Sequence, residues 1–102
     1  MADEVIIEEY QNIGAVNGSD KNLPRTLITT QVLDIAVLSA AFNDNTTFIR
    51  IRSKSTGFWF KIGGSAVSAA ADTNGNCWLP ADQFVDIAIN GADTNIDTAA
   101  DA

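Results

Sequence analysis

The side chains best suited to recognition are gathered in one stretch. Residues 48–64, "FIRIRSKSTGFWFKIGG", hold four of the six basic and four of the eight aromatic residues of a 102-residue chain whose net charge is −7. Phe48, Arg50, Arg52, Trp59 and Lys61 are of types that stack on planar groups, pair with anions and form the energetic centres of interfaces. Bond-making chemistry has no comparable set. The chain contains no histidine, and so lacks the commonest general base and metal ligand. Its thirteen Asp and Glu are scattered, and no nucleophile stands with a base, nor is there a CxxC, a GxGxxG or a P-loop. Gly63-Gly64 reads as a turn, because no helix pattern follows to supply aligned amide donors to a phosphate. The chain is expected not to be an enzyme and to need no cofactor and no metal.

The elements that must hold these residues alternate with period two and are separated by turn residues at intervals of about eight to twelve, the pattern of a small all-β, single-domain antiparallel β-sandwich or barrel. In "TTQVLDIAVL", Leu33, Ile35 and Val37 share a face, and "FNDN" turns the chain. In "TTFIRIRS", Ile49 and Ile51 oppose Phe48, Arg50 and Arg52; "KSTG" is expected to close a hairpin onto "FWFKI", with Phe58, Phe60 and Ile62 inward and Trp59 and Lys61 outward. On that reading the five recognition residues form one patch. "GGSAVSAAADTNGN" is a surface connection, "CWLP" a short strand stopped by Pro80, and "QFVDIAIN" a strand with Val85, Ile87 and Ile89 inward and Phe84, Asp86 and Ala88 outward. A chain of this length buries enough surface to fold without a staple; Cys77 is the single cysteine, so no disulfide closes within the chain, and its setting predicts a small buried hydrophobe.

Both ends are expected to differ from the middle. Residues 1–25 read as an extended N-terminal arm: "EVIIEEY" has strand character but is set apart by "VNGSDKNLP", so it either pairs with its own sheet or lies across a neighbouring subunit through Val5, Ile6, Ile7 and Tyr10. The sandwich then spans 26–97, and 98–102 is a loosely held tail. The acidic start does not resemble a signal peptide and no apolar run is long enough for a membrane span, so no membrane partner is expected.

Three uses compete for the outward hairpin face: a solvated surface, a protein contact, and a nucleic-acid contact. "KSTGFWFKI" has a faint likeness to the aromatic core of single-strand-binding OB and cold-shock domains, but Trp59 stands where that motif has glycine, and the acidic balance makes nucleic acid the least expected partner. A sugar-stacking role for Trp59 or Trp78 is a further option, against packing of Trp78 at the edge of the core.

The segment "LDIAVLSAAFNDNTTFIRIRSKSTGFWFKIGGSAVSAAADTNGNCWLPADQFVDIAINGAD" carries Ser-Ala-Ala-Phe, Ile-Arg-Ile, Phe-Lys-Ile-Gly, Leu-Pro-Ala and Gly-Ala-Asp in that order. In these motifs it resembles a family of small proteins of tailed bacteriophages encoded among virion structural genes. The resemblance covers about two-thirds of the chain and does not extend to "DTNIDTAADA" or the acidic N-terminus. It implies a small β-sandwich that is a virion component, most simply a decoration (cement) protein of the head, with a neck or tail component as the alternative. The implied partners are the major capsid protein or other virion proteins and further copies of the chain, with a trimer favoured. The implied location is the virion, after synthesis in the bacterial host cytoplasm.

Overall fold

The structure, a computed structural model, describes residues 4–12 and 25–101. Among them the chain forms seven strands and no helix: β1 (Val5–Asn12), β2 (Arg25–Leu33), β3 (Phe48–Ser53), β4 (Phe58–Gly63), β5 (Cys77–Leu79), β6 (Phe84–Ala88) and β7 (Asn95–Ala99). They make two antiparallel sheets, one of order β2-β1-β3-β6 and one of order β5-β4-β7. The inward alternate residues meet in a single core of Val5, Ile7, Ile49 and Ile51 from the first sheet and Phe58, Phe60, Leu79 and Ile96 from the second, closed by Phe42. Val85, Ile87, Ile89, Ile62, Leu33 and Ile35 pack around it. The inward sets expected for β3, β4 and β6 are those observed, because a pleated strand has only two faces.

Five expectations need correction. Of the two placements expected for the arm, its described strand β1 takes the one within its own sheet, but as an inner strand rather than an appendage to it, paired with β2 on one side and β3 on the other, with Val5 and Ile7 fully buried. Freeing it would break two ladders and strip the core. The remainder of residues 1–25 lies outside the described residues, except for Glu4 just before β1 and Arg25 at the start of β2.

β3 and β4 do not form a hairpin. Residues 54–57 carry the chain from one sheet to the other, held by Glu4: its Oε1 accepts from the backbone N of Ser55 (2.9 Å), the Ser55 hydroxyl (2.9 Å) and the backbone N of Thr56 (3.1 Å). Gly57 sits so tightly that a Cβ there would lie 2.7 Å from Trp78 Cζ2 and 2.8 Å from the Leu79 carbonyl oxygen.

The strand expected through Val37 ends at Leu33. Ala36 takes φ of 72°, left-handed backbone that turns the chain away, and leaves Val37 exposed. Residues 39–42 then run along the outer side of β7, with the Ser39 amide donating to the Ile96 carbonyl (2.9 Å) and the Phe42 amide to the Thr94 carbonyl (2.8 Å). This explains the fourth difference. Thr98 and Ala99 of the expected tail belong to β7, where Thr98 is buried and its hydroxyl accepts from the Ala36 amide at 2.9 Å. Cys77 is exposed rather than buried, since β5 is a three-residue edge strand and the cysteine sits at its open end.

Candidate functional site

The outward face of the four-stranded sheet brings together residues from both regions singled out in the sequence. The register sets out three rows across β2, β1, β3 and β6: Val32, Ile6, Arg52 and Phe84; Thr30, Glu8, Arg50 and Asp86; Leu27, Tyr10, Phe48 and Ala88. Each row places neighbours at about 4.5–5.5 Å between Cβ atoms, close enough to interact.

The middle row carries the charge. Arg50 grips Asp86 with two parallel bonds, Nε to Oδ1 at 2.7 Å and Nη2 to Oδ2 at 2.9 Å. This hydrogen bonding raises the Arg50 pKa above its ordinary value, against a smaller lowering by desolvation. Arg52 reaches diagonally to Glu8 (Nε to Oε1, 3.3 Å), and the same Glu8 oxygen accepts from the Tyr10 hydroxyl at 3.1 Å. Two cations and two anions thus cancel within the face.

The flanking rows are aromatic and aliphatic. The Phe84 ring lies beneath both guanidiniums, 4.4 Å from Arg50 Cζ and 5.4 Å from Arg52 Cζ, yet remains 53% exposed. Tyr10 and Phe48 stack at 5.0 Å with their planes 10° apart. Leu27 and Val32, each 51% exposed, complete an apolar rim on β2. Beside Phe84 the face dips into an open cleft of about 630 Å³, lined among others by Ile6, Arg52, Lys54 and Asp82.

Of the residues picked from sequence, Phe48, Arg50, Arg52, Ile6 and Tyr10 meet on this face. Val5 and Ile7 belong to the core. Trp59 and Lys61 lie on the outward side of the other sheet, at the opposite side of the sandwich, so the expected patch is split in two. There Trp59 faces Trp78 across β4 and β5, with centroids 5.4 Å apart and planes at 52°, and its Nε1 donates to Asp101 at 3.2 Å. Trp78 is 42% exposed rather than sealed in the core edge.

Sequence reasoning missed Phe84, Glu8, Asp86, Leu27 and Val32 as parts of the site. Alternation in "QFVDIAIN" already turns Phe84 and Asp86 outward; what it does not encode is that β6 lies beside β3. Phe58 and Phe60, the aromatics in the stretch with a likeness to base-stacking domains, are buried beyond reach of a base. Comparison with protein-family models, curated proteins and solved structures found no match to the chain.

Proposed function

We propose that the protein is a structural component of a tailed-bacteriophage virion, a head decoration protein that binds other virion proteins through the outward face of its four-stranded sheet. The observation that carries the contact is that face: Tyr10, Phe48 and Phe84 with Arg50 and Arg52 are the residue types that dominate interface energetics, set on rigid strands. The virion assignment rests on the motif resemblance.

The paired charges refine the reading. On a molecule of net charge −7, this face is locally neutral, so its complement is a largely apolar surface with polar edges rather than an acidic one. Charges already satisfied at 2.7 Å contribute register and specificity more than long-range attraction. Binding by this route depends weakly on salt.

Co-sedimentation with purified, undecorated heads tests both parts. The expected result is saturable binding that changes little between low and high salt and weakens about 30-fold or more in Phe84→Ala, the scale of a 2 kcal/mol hot spot. Absence of co-sedimentation would defeat the head-decoration reading. Binding that survives Phe84→Ala unchanged would move the contact elsewhere, with the Trp59 and Trp78 face as the next surface to test.

A further inference from the structure

The cleft beside Phe84 has a rigid frame. Its walls are the start of β1 (Glu4, Ile6), the end of β3 and the residue after it (Arg52, Lys54), and the turn into β6 (Asp82, Phe84). Backbone bonds tie these walls together: the Lys54 amide donates to the Glu4 carbonyl (3.2 Å), the Ser53 amide to the Gln83 carbonyl (2.9 Å) and the Asp82 amide to the Lys54 carbonyl (2.8 Å). The buried Ser53 hydroxyl adds two more bonds, donating to the Pro80 carbonyl and accepting from the Gln83 amide at 3.1 Å. At about 630 Å³ the cleft has the size of a small-molecule site.

Two opposite charges line this cleft without meeting. Among the described residues, neither the Lys54 ammonium nor the Asp82 carboxylate has a hydrogen-bond or ion-pair partner, although the two backbones are bonded at 2.8 Å. Asp82 takes left-handed backbone, φ 59°, a conformation that non-glycine residues adopt rarely and that gathers at ligand clamps. Arg52 lies two residues before Lys54, and the bond from its Nε to Glu8 orients the guanidinium. Its two Nη groups make no hydrogen bond among the described residues. Glu4 is already engaged, its Oε1 holding Ser55 and Thr56. Ile6 and Phe84 flank Arg52 in one row of the sheet and give the cleft an apolar lip.

We propose that the cleft binds a small zwitterion with an apolar body, of the chemistry of an α-amino acid with an aromatic side chain. The carboxylate is taken by Arg52 and Lys54, the ammonium by Asp82, and the side chain by Phe84 and Ile6. Charge complementarity selects this class. A simple anion would leave Asp82 unpaired and be repelled by it, and a simple cation would meet Arg52 and Lys54. The free Nη pair of Arg52 is the fork that grips a carboxylate with two parallel bonds. A ligand neutral overall is also not driven off by a chain of net charge −7. The site lies at the edge of the contact face but does not depend on the virion proposal.

Nuclear magnetic resonance titration of the isotope-labelled full chain with L-phenylalanine, in the absence of any virion protein, provides the test. Saturable shifts are expected at the amides of residues 52–55 and 82–84. Phenylacetate, which lacks the ammonium, and phenethylamine, which lacks the carboxylate, are each expected to bind about tenfold more weakly or worse, the scale of one lost charge-assisted hydrogen bond. Asp82→Asn, which suits the left-handed backbone, is expected to weaken phenylalanine by a similar factor without weakening phenylacetate. Lys54→Gln is expected to weaken both. The two substituted side chains have no partners to lose, so the rest of the spectrum should be unchanged in both variants. Absence of saturable shifts with phenylalanine, shifts centred elsewhere, phenylacetate binding as tightly as phenylalanine, or an Asp82→Asn variant that binds phenylalanine like the wild type would each overturn the proposal.

Discussion

Glu9 provides the sharpest test of how the contact face is supported from below. Its side chain is 1% exposed and points inward from β1, where Oε1 accepts from the Asn43 amide (2.7 Å) and the Thr46 hydroxyl (2.9 Å) and Oε2 accepts from Gln31 Nε2 (3.0 Å). Gln31 cannot turn its amide over freely. Its Oε1 accepts from the Ala40 amide at 2.9 Å and its Nε2 donates to the Ala40 carbonyl at 3.2 Å, so a flip breaks both bonds. Glu9→Gln therefore keeps the shape but sets one amide NH2 against another. It loses a charge-assisted bond of about 1.5–3 kcal/mol and leaves a buried donor unpaired at about 1–3 kcal/mol, with partial relaxation offsetting some of the sum. We expect a loss of about 2–4 kcal/mol in urea unfolding followed by tryptophan fluorescence. In a double-mutant cycle, Gln31→Ala should relieve at least about 1 kcal/mol of that loss. If Glu9→Gln unfolded within about 0.5 kcal/mol of wild type, the locked-amide argument would be wrong.

Other outcomes follow from the same contacts. Deleting residues 1–12 removes an inner strand and should abolish cooperative unfolding altogether, as read by circular dichroism. Ile96→Ala, at a fully buried position of β7, should cost about 2–5 kcal/mol in the same urea assay, whereas removing residues 100–102 should leave stability nearly unchanged. Gly57→Ala must displace the Trp78 ring and the Leu79 backbone, so it should destabilise by about 1–3 kcal/mol and shift the tryptophan emission spectrum. Cys77 should react stoichiometrically with a thiol reagent in the folded protein, because it is exposed.

Alternation made the inward residues of β3, β4 and β6 legible, and it did so for a reason that also hid the topology. A hairpin and a corner between two facing sheets bury the same side chains, Ile49 and Ile51 with Phe58 and Phe60. They differ in where the other set points: together in a hairpin, to opposite sides of the molecule in a corner. The cues for the corner, Glu4 bonded to Ser55 and Thr56 and Gly57 pressed on Trp78, connect residues some twenty to fifty positions apart and leave no local pattern. The same holds for β1, whose inner position depends on partners beyond a long connection. β7 was missed because "NIDTA" has little apolar bulk; its place comes from one buried isoleucine and the hydrogen bonds of Ser39. Half of the contact face was legible as residue types, and its assembly was not.

The corner at residues 54–57 also governs the order in which the molecule can be completed. β1, β2 and β3 are consecutive along the chain and can pair as they emerge, but β4, made next, has been sent away from them. Its partners are β5 and β7, and the β7 pairing spans from Ile62 to Ile96. Loops of that length close slowly relative to hairpins, so folding is expected in milliseconds to seconds rather than microseconds. Throughout that interval Phe58 and Phe60 stand on a strand with neither neighbour in place, a sticky intermediate of the kind that aggregates or engages chaperones. Growth temperature and synthesis rate should therefore control the soluble yield of this protein more strongly than its final stability does.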